Sequence, residues 1–182
     1  MTYSKGHPVR LIGGRLALDF LNTADWSTDG QVVDEKIAEP ADLDAWLGAL
    51  ELSEAARPDS IEAFHGFRRN LRAVFLGEAG GDLSGLQLPL RGLDIGGLSP
   101  GKISAGQPLL GLVAVSALSI LSDARERGRV KVCPGLDCGW MFLDETKNAR
   151  RKWCLMATCG NRAKASRHYR KVSRSPDRAP PG

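Results

Sequence analysis

The sequence predicts an α+β protein in which a mixed helix and short-strand N-terminal domain precedes a small module that contains all four cysteines. Two observations lead to this prediction. Apolar residues recur at helical spacing in the first two thirds of the chain, and the cysteines lie within 27 residues in the last third. We therefore expect an N-terminal domain over residues 1–128, a small module over 129–172 and a flexible tail over 173–182.

The net charge of +4 conceals opposite charges in the two parts of the chain. Residues 1–121 contain 10 basic and 15 acidic side chains, a net charge of −5. Residues 122–182 contain 15 basic and 6 acidic side chains, a net charge of +9. Such an asymmetry indicates that the C-terminal part binds nucleic acid or another acidic partner.

The sequence predicts a cytoplasmic protein that does not enter a membrane. No apolar run reaches the roughly 18 residues that a membrane span needs, because Ser116 and Ser119 interrupt the longest one. Residues 1–10 lack the apolar core of a secretory signal. In the reducing cytoplasm, clustered cysteines are metal ligands or redox groups more often than disulfides.

The segment around Leu18 is compatible with both a strand and a helix. Leu16, Leu18 and Phe20 alternate as in a strand, whereas Leu18 and Leu21 fit one face of a helix. Further along, Asp42 predicts the N-cap of a short amphipathic helix.

Apolar residues at helical spacing predict a second helix over residues 60–76, with its apolar face in the core and arginines on or near the other side. These arginines are Arg68, Arg69 and Arg72. The glycine-rich segment 77–107 predicts short strands and tight turns. Pro108 then opens the most apolar helix of the chain, over about 109–127, with Gly128 as its C-cap candidate.

The sequence of the small module predicts a knuckle hairpin, which consists of two strands joined by a turn that carries cysteines. Residues 129–132 and 140–143 have the strand pattern, and the first cysteine pair lies between them. Asp144 or Thr146 can cap a short basic helix through residues 147–152.

The four cysteines follow the pattern C-x4-C-x15-C-x4-C. A structural zinc site needs four ligands in a tetrahedron, and two close pairs on turns supply them. The C-x-x-C turn typical of thiol oxidoreductases is absent. We therefore predict one structural Zn²⁺ per chain, with no coordination position open for catalysis. The predicted ligands are Cys133, Cys138, Cys154 and Cys159.

Around these ligands the chain resembles the CGNR zinc-finger family of bacterial proteins, named for the tetrapeptide at residues 159–162. The similarity runs through Cys133, Cys138-Gly139-Trp140, Phe142-Leu143-Asp144, Arg150-Arg151, Trp153-Cys154, Met156-Ala157, Cys159-Gly160-Asn161-Arg162 and Ala163-Lys164. The segments 16–23 and 46–47 are similar to the ABATE-type domain that accompanies this finger, described as a stress-induced transcription regulator. The resemblance implies an α/β-containing N-terminal domain, a DNA-binding zinc finger and a role in transcription.

The final helix, over about residues 160–171, is expected to present basic side chains to a nucleic acid, since a helix fits the major groove and cations neutralise phosphates. The expected contact residues are Arg150, Arg151, Lys152, Arg162, Lys164, Arg167, Arg170 and Lys171. A solvated helix face is the alternative interpretation of this charge. Arg162 also has a local alternative, a bond to the cysteine loop.

A second candidate site lies in the N-terminal domain. Asp19, Asn22 and Thr23 form a polar set inside an apolar segment, which indicates either a turn with satisfied hydrogen bonds or the floor of a small-molecule pocket. No nucleophile and base pair, phosphate-binding glycine loop or metal-ligand set is recognisable in this domain, so we do not expect an enzyme.

The sequence thus favours a transcription regulator whose structural-zinc module binds DNA, while the N-terminal domain senses a small-molecule effector or forms a homodimer. The alternative is an interaction module in which the basic finger binds RNA or an acidic protein. A single recognition helix gains specificity by dimerisation, which gives the homodimer a physical reason.

Overall fold

The structure is a computed structural model that describes residues 10–94 and 106–173, without the side chains of Lys171 and Val172. The flexible tail predicted for residues 173–182 lies outside the described residues, apart from Ser173. Nowhere in the described ranges does a helix combine the length and the apolar character that crossing a bilayer requires.

The segment around Leu18 forms a helix that is followed by a strand. Helix α1 spans Leu16–Leu21, and strand β1, Ala24–Trp26, pairs in antiparallel fashion with β2, Val32–Glu35. Residues 17 to 21 of α1 are all buried. A helix buried on nearly every side is apolar at alternating as well as at helical spacing, which is why the pattern alone could not separate helix from strand.

Helix α2 spans Pro40–Ala49 and begins before Asp42. The prediction that Asp42 is the N-cap is therefore wrong, because Glu39 occupies that position and Pro40 supplies the first helical residue. Asp42 instead lies at the third helical position, where its Oδ2 accepts a hydrogen bond from the Glu39 amide at 3.1 Å. The two carboxylates form a reciprocal capping box.

Helix α3, Ile61–Leu76, confirms the predicted second helix. Ser60 is its N-cap and accepts a hydrogen bond from the Ala63 amide at 3.1 Å. Gly77 ends the helix in the left-handed conformation, with φ of 68°, which glycine adopts without strain.

The prediction that the arginines of α3 lie away from the core is wrong for two of them. Arg69 is exposed, but Arg68 and Arg72 retain only 1% and 6% of their accessible surface. They follow Phe64 by four and eight residues, so all three side chains leave the helix on the same face. Both guanidinium groups have polar or aromatic partners in the interior.

The prediction for the glycine-rich segment is wrong in its strands, because residues 83–91 are helical, but turns do occur at residues 77, 79, 80 and 92. A single 3₁₀ turn spans Leu83–Leu86, and helix α4 spans Gln87–Arg91. Leu86 is buried and anchors the turn to the core, which overrides the weak strand pattern. The rest of the prediction, for residues 95–105, lies outside the described residues.

The apolar helix predicted for residues 109–127 is two helices, α5 at Leu109–Ser122 and α6 at Ala124–Arg127. Asp123 separates them, because its backbone is extended and its carboxylate caps α6 by accepting from the Arg125 amide at 2.7 Å. Helix α5 buries one face, which includes Leu109, Val113 and Ile120.

The predicted knuckle hairpin is confirmed by antiparallel strands β3, Val130–Val132, and β4, Met141–Leu143. The final helix is confirmed as α7, Asn161–Val172, which follows a π-helical turn at Met156–Gly160. The short basic helix predicted over residues 147–152 is absent, and an irregular loop takes its place.

Asp144 is the reason for that irregular loop. Its carboxylate is fully buried and accepts hydrogen bonds from Lys131 Nζ at 2.6 Å and from the Arg151 amide at 2.8 Å. It also bonds the Thr146 amide at 3.0 Å. The acid therefore fixes both sides of the loop instead of capping a helix.

Strand β4 belongs to two hydrophobic clusters. Met141 and Leu143 pack into the main core with residues of α1, α3 and α5, whereas Trp140 and Phe142 pack around the cysteines. This follows from the two-residue period of a strand, which sends successive side chains to opposite faces. The segments on either side of residue 128 are thus joined through one shared strand.

Candidate metal centre and basic surface

The four cysteine sulfurs converge on one point in the small module. All four Sγ atoms lie within 4.8 Å of one another, and the Cys138–Cys154 and Cys154–Cys159 separations are both 3.6 Å. Four sulfurs placed tetrahedrally at about 2.3 Å from a zinc ion are about 3.8 Å apart. The four thiols are free and buried. Their number, spacing and chemistry fit a tetrahedral zinc ion.

The first cysteine pair is held by the β3–β4 hairpin. The Cys133 amide donates to the Trp140 carbonyl at 2.8 Å, which closes the turn between the two ligands. Gly135 lies in this turn, where an added Cβ would stand 2.9 Å from Cys159 Sγ. A side chain at position 135 would thus push directly on a ligand of the opposite pair.

The second pair is held by the π-helical turn that leads into α7. Cys154 precedes this turn and Cys159 lies within it, so the wide x4 spacing corresponds to one enlarged helical turn. A Cβ at Gly160 would collide with Met156 Sδ. The same turn fixes the start and direction of α7.

The four sulfurs hold their protons unequally. Hydrogen bonds between the sulfurs lower the pKa of Cys133 and of Cys159, whereas the hydrogen bond with Cys133, together with burial, raises the pKa of Cys138 and of Cys154. A divalent metal would bind the thiolate form of all four and displace the remaining protons. When bound, zinc would supply a structural cross-link, and four thiolates would fill its tetrahedral coordination.

The N-terminal domain donates hydrogen bonds to two backbone carbonyls of the cysteine module. The Trp26 amide donates to the Cys138 carbonyl at 3.1 Å, and Arg72 Nη1 donates to the Gly139 carbonyl at 2.9 Å. Gly139 has φ of 54°, and a Cβ there would stand 2.7 Å from the Trp26 Cβ. The turn that carries Cys138 thus lies directly against the N-terminal domain.

The polar set of the N-terminal domain is engaged in internal hydrogen bonds. Asp19 Oδ1 accepts from the Gly13 amide at 2.7 Å, and burial raises the pKa of Asp19 to about 6. The Asn22 side chain exchanges two hydrogen bonds with the backbone of Met141. Thr23 Oγ1 donates to the Phe20 carbonyl at 2.7 Å. These three side chains therefore tie α1 to its surroundings.

The cationic side chains of the loop between the cysteine pairs differ in their exposure and partners. Arg150 and Lys152 are exposed, and the Lys152 ammonium lies 5.4 Å from the Trp153 ring centroid. Arg151 instead stacks on Phe142 with 4.2 Å between guanidinium and ring centroid, and it donates to backbone carbonyls of the protein. Of these three residues, Arg151 has its donors turned inward.

A groove of about 830 Å³ runs along this loop. Cationic side chains line it together with the half-buried Trp153 ring and Met156. The lining cations are Lys147, Arg150, Arg151 and Lys152.

Helix α7 presents basic residues on two sides. Lys164 and Arg167 are exposed and three residues apart, and position 171 follows Lys164 by seven, so these positions share one side of the helix. Arg170 follows Arg167 by three residues and lies beside it, whereas Arg162, two residues before Lys164, lies on the opposite side of the helix. Arg162 Nη1 is 3.4 Å from the Leu136 carbonyl in the cysteine loop, so this residue has a local partner.

Comparison with known protein families identifies both parts of the chain. A family model described as "Putative stress-induced transcription regulator", ABATE, matches residues 14–124, more than half of the chain. This chain belongs to the ABATE family. The model of the CGNR zinc finger matches residues 129–172. We refer to these matched segments as the ABATE domain and the CGNR finger. No curated protein matches the chain.

The two matches confirm the resemblance seen in the sequence and place the structural elements within families. The ABATE domain contains α1 to α5 and the β1–β2 hairpin, whereas the CGNR finger contains the four cysteines, the β3–β4 hairpin and α7. The protein is thus a zinc-finger protein of a transcription-regulator family.

Three residues by which the ABATE domain contacts the finger could not be recognised from the sequence alone. No motif marks Trp26 or Arg72, and the polar set that includes Asn22 indicates a turn or a pocket rather than a contact with the finger. One signal was available for Arg72, because the spacing of Phe64, Arg68 and Arg72 places both arginines on the apolar face of α3. A buried arginine on a core face indicates an internal partner.

Proposed function

We propose that this protein is a transcription regulator that binds DNA through its CGNR finger, which is held in shape by one structural Zn²⁺. The observation that carries the proposal is the position of α7. This helix begins at the turn of ligand Cys159 and carries exposed Lys164, Arg167 and Arg170. A rigidly held basic helix has the dimensions and charge to enter the major groove.

The cations of this surface are available to phosphates. Among the described residues, none of Arg150, Lys152, Lys164 and Arg170 forms an ion pair with a carboxylate. Unpaired cations grouped on one module release counterions when they meet a polyanion, which drives association with nucleic acid. The +9 charge of residues 122–182 supports the same interpretation.

The groove beside Trp153 extends this surface away from α7. Exposed Arg150 and Lys152 lie along this groove, where their charges can contact the phosphates of a nucleic-acid backbone. We assign base contacts to α7 and backbone contacts to Arg150 and Lys152. Arg151 acts in this proposal as a residue that shapes the loop, since its donors are used within the protein.

We propose that the metal centre is structural and not catalytic. Four thiolate ligands leave no coordination position for water or substrate. The proposal places the protein in the cytoplasm, where free thiols persist and can hold a metal.

The ABATE domain, in this proposal, controls the finger by sensing a small-molecule effector or by forming a homodimer. The hydrogen bonds from this domain to the Cys138 turn support a regulatory connection, because a conformational change in the domain would displace the backbone of that turn. Sedimentation of the zinc-loaded protein with and without DNA tests the homodimer, and a monomer on DNA contradicts it.

The DNA proposal is tested by fluorescence anisotropy of zinc-loaded protein against mixed-sequence duplex DNA at 50 and 200 mM salt. We expect binding that weakens by about 10³-fold or more over this range if six or more phosphates are contacted. The variant with both Lys164→Ala and Arg167→Ala should bind more weakly and show a shallower salt dependence. Arg69→Ala, an exposed arginine on α3, is the matched control and should bind like wild type.

Absence of duplex binding at low salt contradicts the proposal. Tighter binding to structured RNA or to an acidic protein, with the same dependence on Lys164 and Arg167, would assign the surface to the alternative partner class.

A further inference from the structure

Arg72 is a buried cation without a carboxylate partner. Its side chain retains 6% of its surface, its Nη1 donates to the Gly139 carbonyl, and its guanidinium stacks on Trp26 at 4.3 Å from the ring centroid. No ion pair of Arg72 exists among the described residues, and its Nε has no hydrogen-bond partner there. An isolated buried charge is strongly unfavourable unless an opposite charge compensates it.

Arg68, one turn earlier on the same helix, is a buried arginine whose charge is compensated, although its Nε also has no hydrogen-bond partner among the described residues. Its guanidinium forms a bidentate ion pair with Glu35 and donates a hydrogen bond to Thr23 Oγ1 at 2.9 Å. The two arginines therefore differ in one respect: Arg68 faces a carboxylate, and Arg72 faces the turn that carries Cys138.

The charge near Arg72 comes from the cysteine centre and from one exposed acid. Burial lowers the pKa of Arg72 to about 10, while the charge of Glu78 and, after it, that of Cys138 act in the opposite direction. Four thiolates around one Zn²⁺ carry a net charge of −2, and a buried anion of this kind needs a nearby cation. Glu78 is exposed, so its field is screened by water.

We propose that Arg72 of the ABATE domain is a charge-balancing and positioning residue of the four-cysteine metal centre, beside Arg151 of the finger itself, so that the domain contributes to the metal affinity of the finger. The inference rests on the proposed zinc site. The positive charge of Arg72 offsets the net negative charge of the metal-loaded centre. Its hydrogen bond to the Gly139 carbonyl positions the Cys138–Gly139 backbone.

Trp26 completes the support for this ligand. The Trp26 amide donates to the Cys138 carbonyl at 3.1 Å, and the Arg72 guanidinium stacks on the Trp26 indole. The close approach of Trp26 to Gly139 leaves no room for a side chain at position 139. The ABATE domain therefore binds two successive carbonyls of the ligand turn and places a cation beside it.

The test uses full-length protein and compares Zn²⁺ affinities by competition with a chromophoric chelator. Arg72→Met removes the charge and the donor, Arg72→Gln keeps a donor, and Arg72→Lys keeps the charge. We expect a loss of about 10- to 100-fold in affinity for the Met and Gln variants, the usual effect of removing an outer-shell partner, and a smaller loss for Lys. Arg69→Met is the control and should match wild type.

A spectroscopic readout separates charge balance from a merely structural role. Co²⁺ bound by four thiolates absorbs by charge transfer from sulfur to metal, and a nearby cation raises the energy of that transition by stabilising the thiolate electrons. The Co²⁺ forms of Arg72→Met and Arg72→Gln should therefore absorb at longer wavelength than wild type. Arg72→Lys should stay close to wild type.

The outcomes distinguish this inference from the zinc site on which it rests. Wild-type protein that takes up no Zn²⁺ or Co²⁺ overturns the metal centre itself. Wild-type protein that binds zinc, with Arg72→Gln binding equally well and an unshifted Co²⁺ band, overturns the role of Arg72 alone. Neutral variants that fold only at higher zinc concentration than wild type support the role, since metal binding and folding are linked.

Discussion

The side chain of Asn22 pairs with the backbone of Met141 as a neighbouring strand would. Nδ2 donates to the Met141 carbonyl at 2.8 Å, and the Met141 amide donates to Oδ1 at 2.7 Å. Asn22 ends α1 in the ABATE domain, while Met141 opens β4 in the CGNR finger. One amide group thus satisfies both polar groups of a buried strand residue that has no strand partner on that side.

Replacing Asn22 should destabilise the whole protein. Asn22→Ala leaves a buried N–H and a buried C=O of Met141 unpaired, and each unsatisfied group costs about 1–3 kcal/mol. We expect the free energy of unfolding to fall by about 2–4 kcal/mol, measured by urea denaturation of zinc-loaded protein.

Asn70 provides a matched control for this change. It exchanges the same pair of hydrogen bonds with the backbone of Asp82, at 2.9 and 3.0 Å, but on the surface. Water can replace these bonds, so Asn70→Ala should cost less than about 1 kcal/mol. Equal losses for the two variants would contradict the view that Asn22 joins the two parts of the protein.

Gly135 should be required for the metal centre. A Cβ at this position would stand 2.9 Å from Cys159 Sγ and 3.3 Å from Cys138 Cβ, so Gly135→Ala must displace ligands of both pairs. We expect zinc affinity to fall by about tenfold or more, as for other changes that disturb ligand placement, measured by chelator competition.

Gly66 supplies the comparison for Gly135. A Cβ added there meets nothing within 4 Å, and the residue lies inside α3. Gly66→Ala should leave zinc affinity unchanged and raise the free energy of unfolding by about 0.5–1 kcal/mol, since alanine favours a helix. Wild-type zinc affinity in Gly135→Ala would show that the knuckle tolerates a side chain.

The parts of the structure that the sequence predicted well are those fixed by local chemistry. The apolar spacing predicted a helix over residues 60–76, which forms as α3, and the spacing of the cysteines predicted that Cys133 and Cys159 would meet. The final helix followed from its position after a ligand. Each of these features depends on residues near one another in the chain or on a motif.

The parts that could not be predicted depend on long-range burial. Asp144 has the sequence context of a helix cap, but its buried contact with Lys131 determines its role, and that contact exists only after β3 and β4 pair. Arg72 similarly interacts with Gly139, 67 residues away. Nothing local to either residue specifies such a partner.

The stability of the protein should depend on the ionisation of Asp19. Burial raises the pKa of Asp19 from 3.8 to about 6, so the folded state binds a proton more tightly than the unfolded state. Stability from this group is therefore greatest below about pH 4 and is lost as pH rises through about 6, by up to about 3 kcal/mol.

Asp19→Asn isolates this effect, because the amide oxygen can still accept the bond from the Gly13 amide. The difference in free energy of unfolding between variant and wild type should shift in favour of the variant as pH rises from 4 to 7. Contributions from zinc and other titrating groups cancel in that difference. A difference that does not change with pH would show that Asp19 titrates normally.

Asp144 should hold the loop between the cysteine pairs. Burial alone would raise the pKa of Asp144, but hydrogen bonds from Lys131 and Thr146 outweigh it, so the net shift is downward. The carboxylate therefore stabilises the fold above its ordinary pKa and loses that effect as pH falls below it. Asp144→Asn removes the charge, and we expect a loss of about 2–3 kcal/mol at pH 7 in urea denaturation of zinc-loaded protein.

A variant of the neighbouring Glu145 shows whether the loss of stability in Asp144→Asn requires a buried carboxylate or only the loss of a charge. Glu145 also forms an ion pair, with Arg15 at 3.1 Å, but its side chain is 63% exposed. Glu145→Gln should cost less than about 1 kcal/mol, since exposed pairs are weak. If Asp144→Asn is no less stable than Glu145→Gln, the loop is held by its backbone and the cysteines rather than by the buried acid.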